Sequence, residues 1–177
     1  GYVVSATFIV AIVEDLPELA GRGNLAFLAI GLGAAPASIY WDLVARRVGD
    51  LNALILAAML QVVGIVLPVL VGGLVMTMVG AVIFGGTFVG MVSLVLTMSG
   101  RFHPTQPARM MGRMTQSFGV AQIVGPALAG WLAVRYGGYA VGLYVAAGIM
   151  VLGTVLLLML KAVERRDAQI ADAASWR

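Results

Sequence analysis

Few groups in this chain could carry covalent or acid–base chemistry, and those few are badly placed for it. The single histidine, His103, lies in a polar stretch between Phe102 and Pro104. A Ser–His hydrolase working inside a membrane would need that imidazole within a helix bundle, beside a serine on a neighbouring helix. There are no cysteines, which removes thiol catalysis, thiolate metal sites and disulfides together. No cluster of His and carboxylate residues has metal-ligand spacing. The residues therefore point to no enzyme, no metal and no other cofactor.

What is spaced regularly is small and neutral. Gly112, Thr115, Gly119, Gln122, Pro126 and Gly130 recur every three or four residues, so they lie along one side of a helix. Small residues let a neighbouring backbone approach, and a glutamine can hydrogen-bond across the contact. That face is expected to pack against protein or to line a substrate path. Upstream, Thr77, Phe84, Thr87, Met91 and Met98 share a face of another apolar run. Gly85 and Gly86 lie near its midpoint, and Gly86 and Gly90 form a GxxxG. Aromatic and thioether side chains suit an adaptable apolar pocket, and a glycine midpoint suits a helix that bends or rocks. At the start of the chain Tyr2 and Ser5 share a helical face, whereas Thr7 is about 200° from Ser5. Glu14, Asp15 and Glu18 stand at the end of that first run, where charge is solvated or gathers cations at a mouth. No Asp, Glu, Lys or Arg falls at midplane depth, where coupling groups of ion-driven carriers sit. A path through these helices is then mostly neutral, or its coupling group lies outside this sequence.

The elements that must position these residues are membrane spans. The chain is 61% hydrophobic and 11% charged, with mean hydropathy +1.00. Its 177 residues have too little interior to hide that apolar surface, so lipid must cover it. The apolar runs are too long and too little alternating for barrel strands, which leaves helices. The expected fold is all-α, with spans at about 1–13, 24–45, 51–71, 74–98, 110–134 and 139–160. Pro36 interrupts the second span. The first is too short for a hydrocarbon core of about 30 Å, and the chain opens on Gly rather than Met, so it reads as a fragment continuing upstream. Ser99 to Arg109 reads as the longest loop, and 162–177 as a charged tail outside the membrane.

Cationic residues fix the orientation. Arg46, Arg47, Arg101, Arg109, Arg113, Lys161, Arg165, Arg166 and Arg177 fall on one side, against Arg22 and Arg135 on the other. The richer side is cytoplasmic by the positive-inside rule, which places the C-terminus inside and the 14–18 acidic segment outside. The pI near 9.7 is then a product of topology, and nucleic acid is not an expected partner. Trp131, Tyr136 and Tyr139 belong at the outer headgroups, and Tyr40 and Trp41 at the inner ones.

The segment between the second and third spans reads Gly33-Ala-Ala-Pro36-Ala-Ser-Ile-Tyr-Trp41-Asp42-Leu-Val-Ala-Arg46-Arg47-Val-Gly49-Asp50. It resembles the cytoplasmic loop of the major facilitator superfamily, in which a Gly and then Asp-Arg-x-Gly join the second and third helices of each six-helix half. Arg47-Val48-Gly49 fits the end of that pattern, but Arg46 occupies the Asp slot. Asp42 stands one turn earlier and can reach Arg46 at i to i+4, as a charge latch or a surface ion pair. Phe118-Gly119 through Gly125-Pro126 to Gly130 is similar to the Gly-Pro-rich eleventh helix of these transporters. Gly1-Tyr2 to Thr7-Phe8 resembles the seventh helix of the bacterial YbfB/YjiJ-like branch. The resemblance implies the C-terminal six-helix half of a twelve-helix carrier in a bacterial inner membrane, with six more helices upstream and a proton as the candidate coupling ion. It implies a central cavity lined by the first and fourth spans, hence by Tyr2, Ser5, Phe84, Thr87 and Met91, taking a small organic solute. It also implies contact between halves along Gly112, Thr115, Gly119, Gln122 and Pro126, a loop motif of Asp42, Arg46, Arg47 and Gly49, and a packing role for Gln61. The competing expectation is a self-contained six-span protein acting as a homodimeric channel or a structural subunit.

Overall fold

The computed structural model describes residues 23–71, 73–102, 106–136 and 140–175. The first expected span, with Tyr2 and Ser5, lies outside them, as does His103. Among the described residues every regular element is a helix: α1 Gly23–Ala34, α2 Ala37–Val48, α3 Asp50–Val71, α4 Leu74–Phe102, α5 Pro107–Tyr136 and α6 Ala140–Ser175. Helices satisfy the backbone within each segment, as lipid requires. They make five spans of membrane-crossing length and polarity: Asn24–Val48, Asp50–Pro68, Leu74–Arg101, Ala108–Tyr136 and Tyr144–Val163.

Helices α1 and α2 form one span interrupted by a turn at Ala35 and Pro36. Proline has no N–H to continue the ladder, yet the Ala35 N–H donates to Gly31 (2.9 Å) and the Tyr40 N–H to Pro36 (3.0 Å), so helical pairing resumes on either side. Gly49 alone separates α2 from α3. Its φ of 91° is one that glycine adopts without strain, and its N–H caps the Ala45 carbonyl at 2.8 Å. Gly73, at φ 77°, precedes α4, where Thr77 returns both its N–H and its hydroxyl to the Gly73 carbonyl.

Several expected boundaries move outward. The presumed Ser99–Arg109 loop is largely helical, since α4 runs to Phe102 and α5 starts at Pro107, where a proline loses no intrahelical bond. Ser99 turns its hydroxyl back onto the Leu96 carbonyl at 2.8 Å, so its polarity is absorbed within the helix. The charged tail is helical too, because α6 continues through it to Ser175. Its Ala, Glu, Arg, Lys and Gln residues are strong helix formers, and hydropathy marks only where lipid ends.

Helix α4 is the hub, packed against α1, α2, α3 and α5, while α6 packs on α3 and α5. One buried cluster joins Ala26, Ile65, Ala81, Phe84 and Ala146; the other joins Ala37, Trp41, Ala53, Ala57 and Leu94. Alanines dominate both because lipid is as apolar as leucine and helices associate through close packing. The tightest backbone approaches are reciprocal. A Cβ on Gly33 would lie 2.1 Å from the Val82 carbonyl oxygen, and one on Gly85 would lie 2.0 Å from that of Ile30.

Candidate functional site

The fourth-span residues divide between two environments. Phe84 and Thr87 are each 1% exposed and face the interior of the bundle. Thr87 donates its hydroxyl to the side-chain carbonyl of Gln61 on α3, and its oxygen lies 2.7 Å from the Ile83 carbonyl. Gln61 is itself fully buried, and its Nε2 has no partner among the described residues. Gln61 thus makes the interhelical hydrogen bond expected of it. Met91 is half-buried and borders a cavity of about 350 Å³ between α4, α5 and α6, whose walls also include Phe88, Thr115, Phe118 and Met150.

Aromatic stacking connects these environments. Phe84 and Phe88 stack with centroids 6.1 Å apart and 11° between planes, and Phe88 and Phe118 stack at 6.1 Å and 15°. The ladder runs from the core of the bundle into the cavity wall and ties α5 to α4. Phe84 and, within the Gly-Pro-rich run, Phe118 stood out in the sequence, and Phe88 did not; it follows Phe84 by four residues, the spacing that places two rings on one helical face.

Along α5 the small-residue stripe is open. Gly112, Thr115 and Gln122 are exposed, and a Cβ added at Gly112 or Gly119 would meet nothing within 4 Å. Pro126 lies farther along the same helix, which continues through it. No described residue of α5 is fully buried. At its far end Arg135 lies over the Trp131 ring at 5.2 Å, a cation–π pair suited to a headgroup layer.

At the opposite end, Asp42 and Arg46 form the expected i to i+4 pair at 2.7 Å, with side chains 45% and 71% exposed. Both lie on α2, so this pair ties no two elements together. The tie between elements is Asp50–Arg101 at 2.6 Å, joining the start of α3 to the end of α4. Sequence reading missed it, although Asp50 follows the Gly49 turn and Arg101 ends the adjacent antiparallel helix at the same side. Asn52 braces the turn by donating to the Val48 carbonyl at 2.6 Å. Arg47 is exposed.

Trp41 departs from its expected place at the inner headgroups. It is 5% exposed, and its indole N–H donates to the Gly86 carbonyl on α4 at 3.0 Å. The ring occupies a slot made by Gly90, where a Cβ would lie 1.9 Å from Trp41 Cδ1. Tyr40, beside it, is exposed. Gly90 of the α4 GxxxG is therefore filled by a side chain of α2, whereas Gly85 and Gly86 face the backbone of α1.

The family model described as "Uncharacterised MFS-type transporter YbfB" matches residues 1–158. No curated protein and no solved structure matches the chain.

Proposed function

The chain belongs to the YbfB branch of major facilitator transporters, and from that premise we propose that it is one six-helix half of a secondary carrier working by alternating access. The carrier moves a small, partly apolar organic solute across a bacterial inner membrane, with the C-terminus in the cytoplasm. Tyr2, Ser5, Phe84, Thr87 and Met91 belong to the helices that border its path, and a proton is the coupling ion to test first. The second six-helix half covers the stripe of Gly112, Thr115, Gly119, Gln122 and Pro126.

The observation that supports this reading best is the contrast between α4 and α5. One is packed on four helices; in the other none of the described residues is fully buried, and it presents small and polar side chains. Such a face is costly against lipid and useful against protein. The two halves rock about a midplane site, and the turn at Gly49 holds the inward-closed state, with Asp42, Arg46 and Arg47 on one flank and Asp50 bound to Arg101 on the other.

Vesicles containing the full-length chain test the proposal. Saturable, competable uptake from a panel of small organic solutes is expected; flux that rises without saturation would instead indicate a pore. With a transported solute in hand, Asp42→Ala is expected to lower transport with little loss of membrane insertion. Unchanged rates in that variant would remove Asp42 from the latch.

A further inference from the structure

We propose that α5 binds an anionic phospholipid whose phosphate is held by Arg109 and Arg113 and whose acyl chains lie along Val120, Ile123 and Val124. On the orientation proposed above, that lipid belongs to the cytoplasmic leaflet. Arg109 and Arg113 are exposed and, with Gln106 and Met110, line a concavity of about 90 Å³ at the start of the span. Four residues apart, they stand one above the other on a single face. Arg109 Nη1 donates to the Gln106 side-chain carbonyl at 3.2 Å, which braces the guanidinium and leaves its other N–H groups for a ligand.

This face is distinct from the one assigned to the second half. At about 100° per residue, Arg109 and Arg113 lie about 120° round α5 from the stripe of Gly112, Thr115, Gly119 and Gln122, and about 160° from Phe118. Phe118 marks the side turned to α4, through its stack on Phe88. The arginines therefore point away from α4. Farther along their own face come Val120, Ile123 and Val124, each more than half exposed.

Depth matches the two parts of a lipid. From Arg113 to Val120 the helix rises about 10 Å, within the roughly 15 Å that one leaflet contributes to the hydrocarbon core. With the valines among the chains, the arginines reach the headgroups, their stems lying along apolar surface. Charge then selects among headgroups. From Pro107 to Tyr136 the helix carries no Asp or Glu, so a phosphate meets two guanidinium forks and no carboxylate of α5. A zwitterionic lipid brings an ammonium or choline that those two cations repel. A glycerol headgroup brings none.

The test uses the full-length protein, delipidated in a neutral detergent and titrated with phosphatidylglycerol or with phosphatidylcholine of the same chains, bound lipid being counted by native mass spectrometry. Phosphatidylglycerol is expected to bind at least about tenfold more tightly. Arg109→Gln with Arg113→Gln is expected to weaken phosphatidylglycerol roughly thirtyfold, each arginine contributing about fivefold, and to leave phosphatidylcholine unchanged. Lys161→Gln with Arg166→Gln removes the same charge from α6 and is expected to change neither. Equal loss in both double variants would show a diffuse basic surface and overturn the site, as would equal affinity for the two lipids in the unmodified protein. Val120→Asn with Ile123→Asn is expected to weaken phosphatidylglycerol as well; unchanged binding there would remove the apolar lane. Displacement of the lipid by an equal concentration of glycerol 3-phosphate would reassign the arginines to a soluble phosphate and overturn the lipid. Binding in detergent depends neither on transport nor on which way the chain faces, so its failure leaves the carrier standing, and absence of saturable uptake leaves the lipid site.

Discussion

Gly90 shows how little of a residue's role is carried by its own type. In sequence, Gly85, Gly86 and Gly90 read as a pliable midpoint of a rocking helix; in the fold each is a socket. Gly85 receives the Ile30 backbone and Gly90 the Trp41 ring, and which partner arrives is decided by a helix some fifty residues away in sequence, beyond any local pattern. Gly90→Ala must expel the indole and break its bond to Gly86, a loss of roughly 2 to 4 kcal/mol. Gly148→Ala, where the added Cβ meets nothing, is expected to be neutral or to stabilise by up to about 1 kcal/mol. Thermal unfolding in one detergent compares the two; equal melting temperatures would contradict the socket. The packing role that the resemblance implies for Gln61 agrees with its burial and its bond to Thr87. Gln61→Leu is expected to cost less than about 1 kcal/mol, since the hydrogen bond it loses is of the modest kind found between membrane helices and the substitution also removes an unpartnered buried Nε2. A larger drop in unfolding midpoint would show that this amide does more than bond to Thr87.

Among the elements, the five spans from Asn24 onward were legible because a run of apolar residues long enough to cross lipid has few other fates. Their ends were less so. Hydropathy falls at Ser99, yet α4 runs on to Phe102, because a helix leaves the bilayer without needing to stop. That extra turn lets Arg101 reach Asp50, so the missed boundary and the missed ion pair have one cause. The Arg101 side chain is 58% exposed and that of Asp50 26%, and a pair this open contributes about 1 kcal/mol or less to stability. A double-mutant cycle on Asp50→Ala and Arg101→Ala is expected to give a coupling of that size in unfolding measurements. If the pair also governs the inward-closed state, the double charge reversal restores transport that each single reversal lowers. Failure of the double variant to recover would confine Asp50–Arg101 to a structural role.

At the scale of the molecule, the side facing the cytoplasm was argued from cationic residues alone. Single cysteines at Gln106 and Tyr136 test it, being at opposite ends of α5. An impermeant maleimide is expected to label position 136 in intact cells and position 106 only after the membrane is opened. The reverse pattern would invert the topology. What the sequence could not disclose is the unequal packing among the described residues, dense around α4 and sparse around α5, because helix-to-helix contacts are not written in any one span. One buried contact also gives the molecule an optical readout. With Trp131 and Trp176 replaced by Phe, Trp41 is the remaining indole of this chain, bonded to the Gly86 carbonyl and shielded from solvent. A movement of the Ala37–Val48 segment away from α4 would strip that shield, so a shift of intrinsic fluorescence would time the motion without any added label.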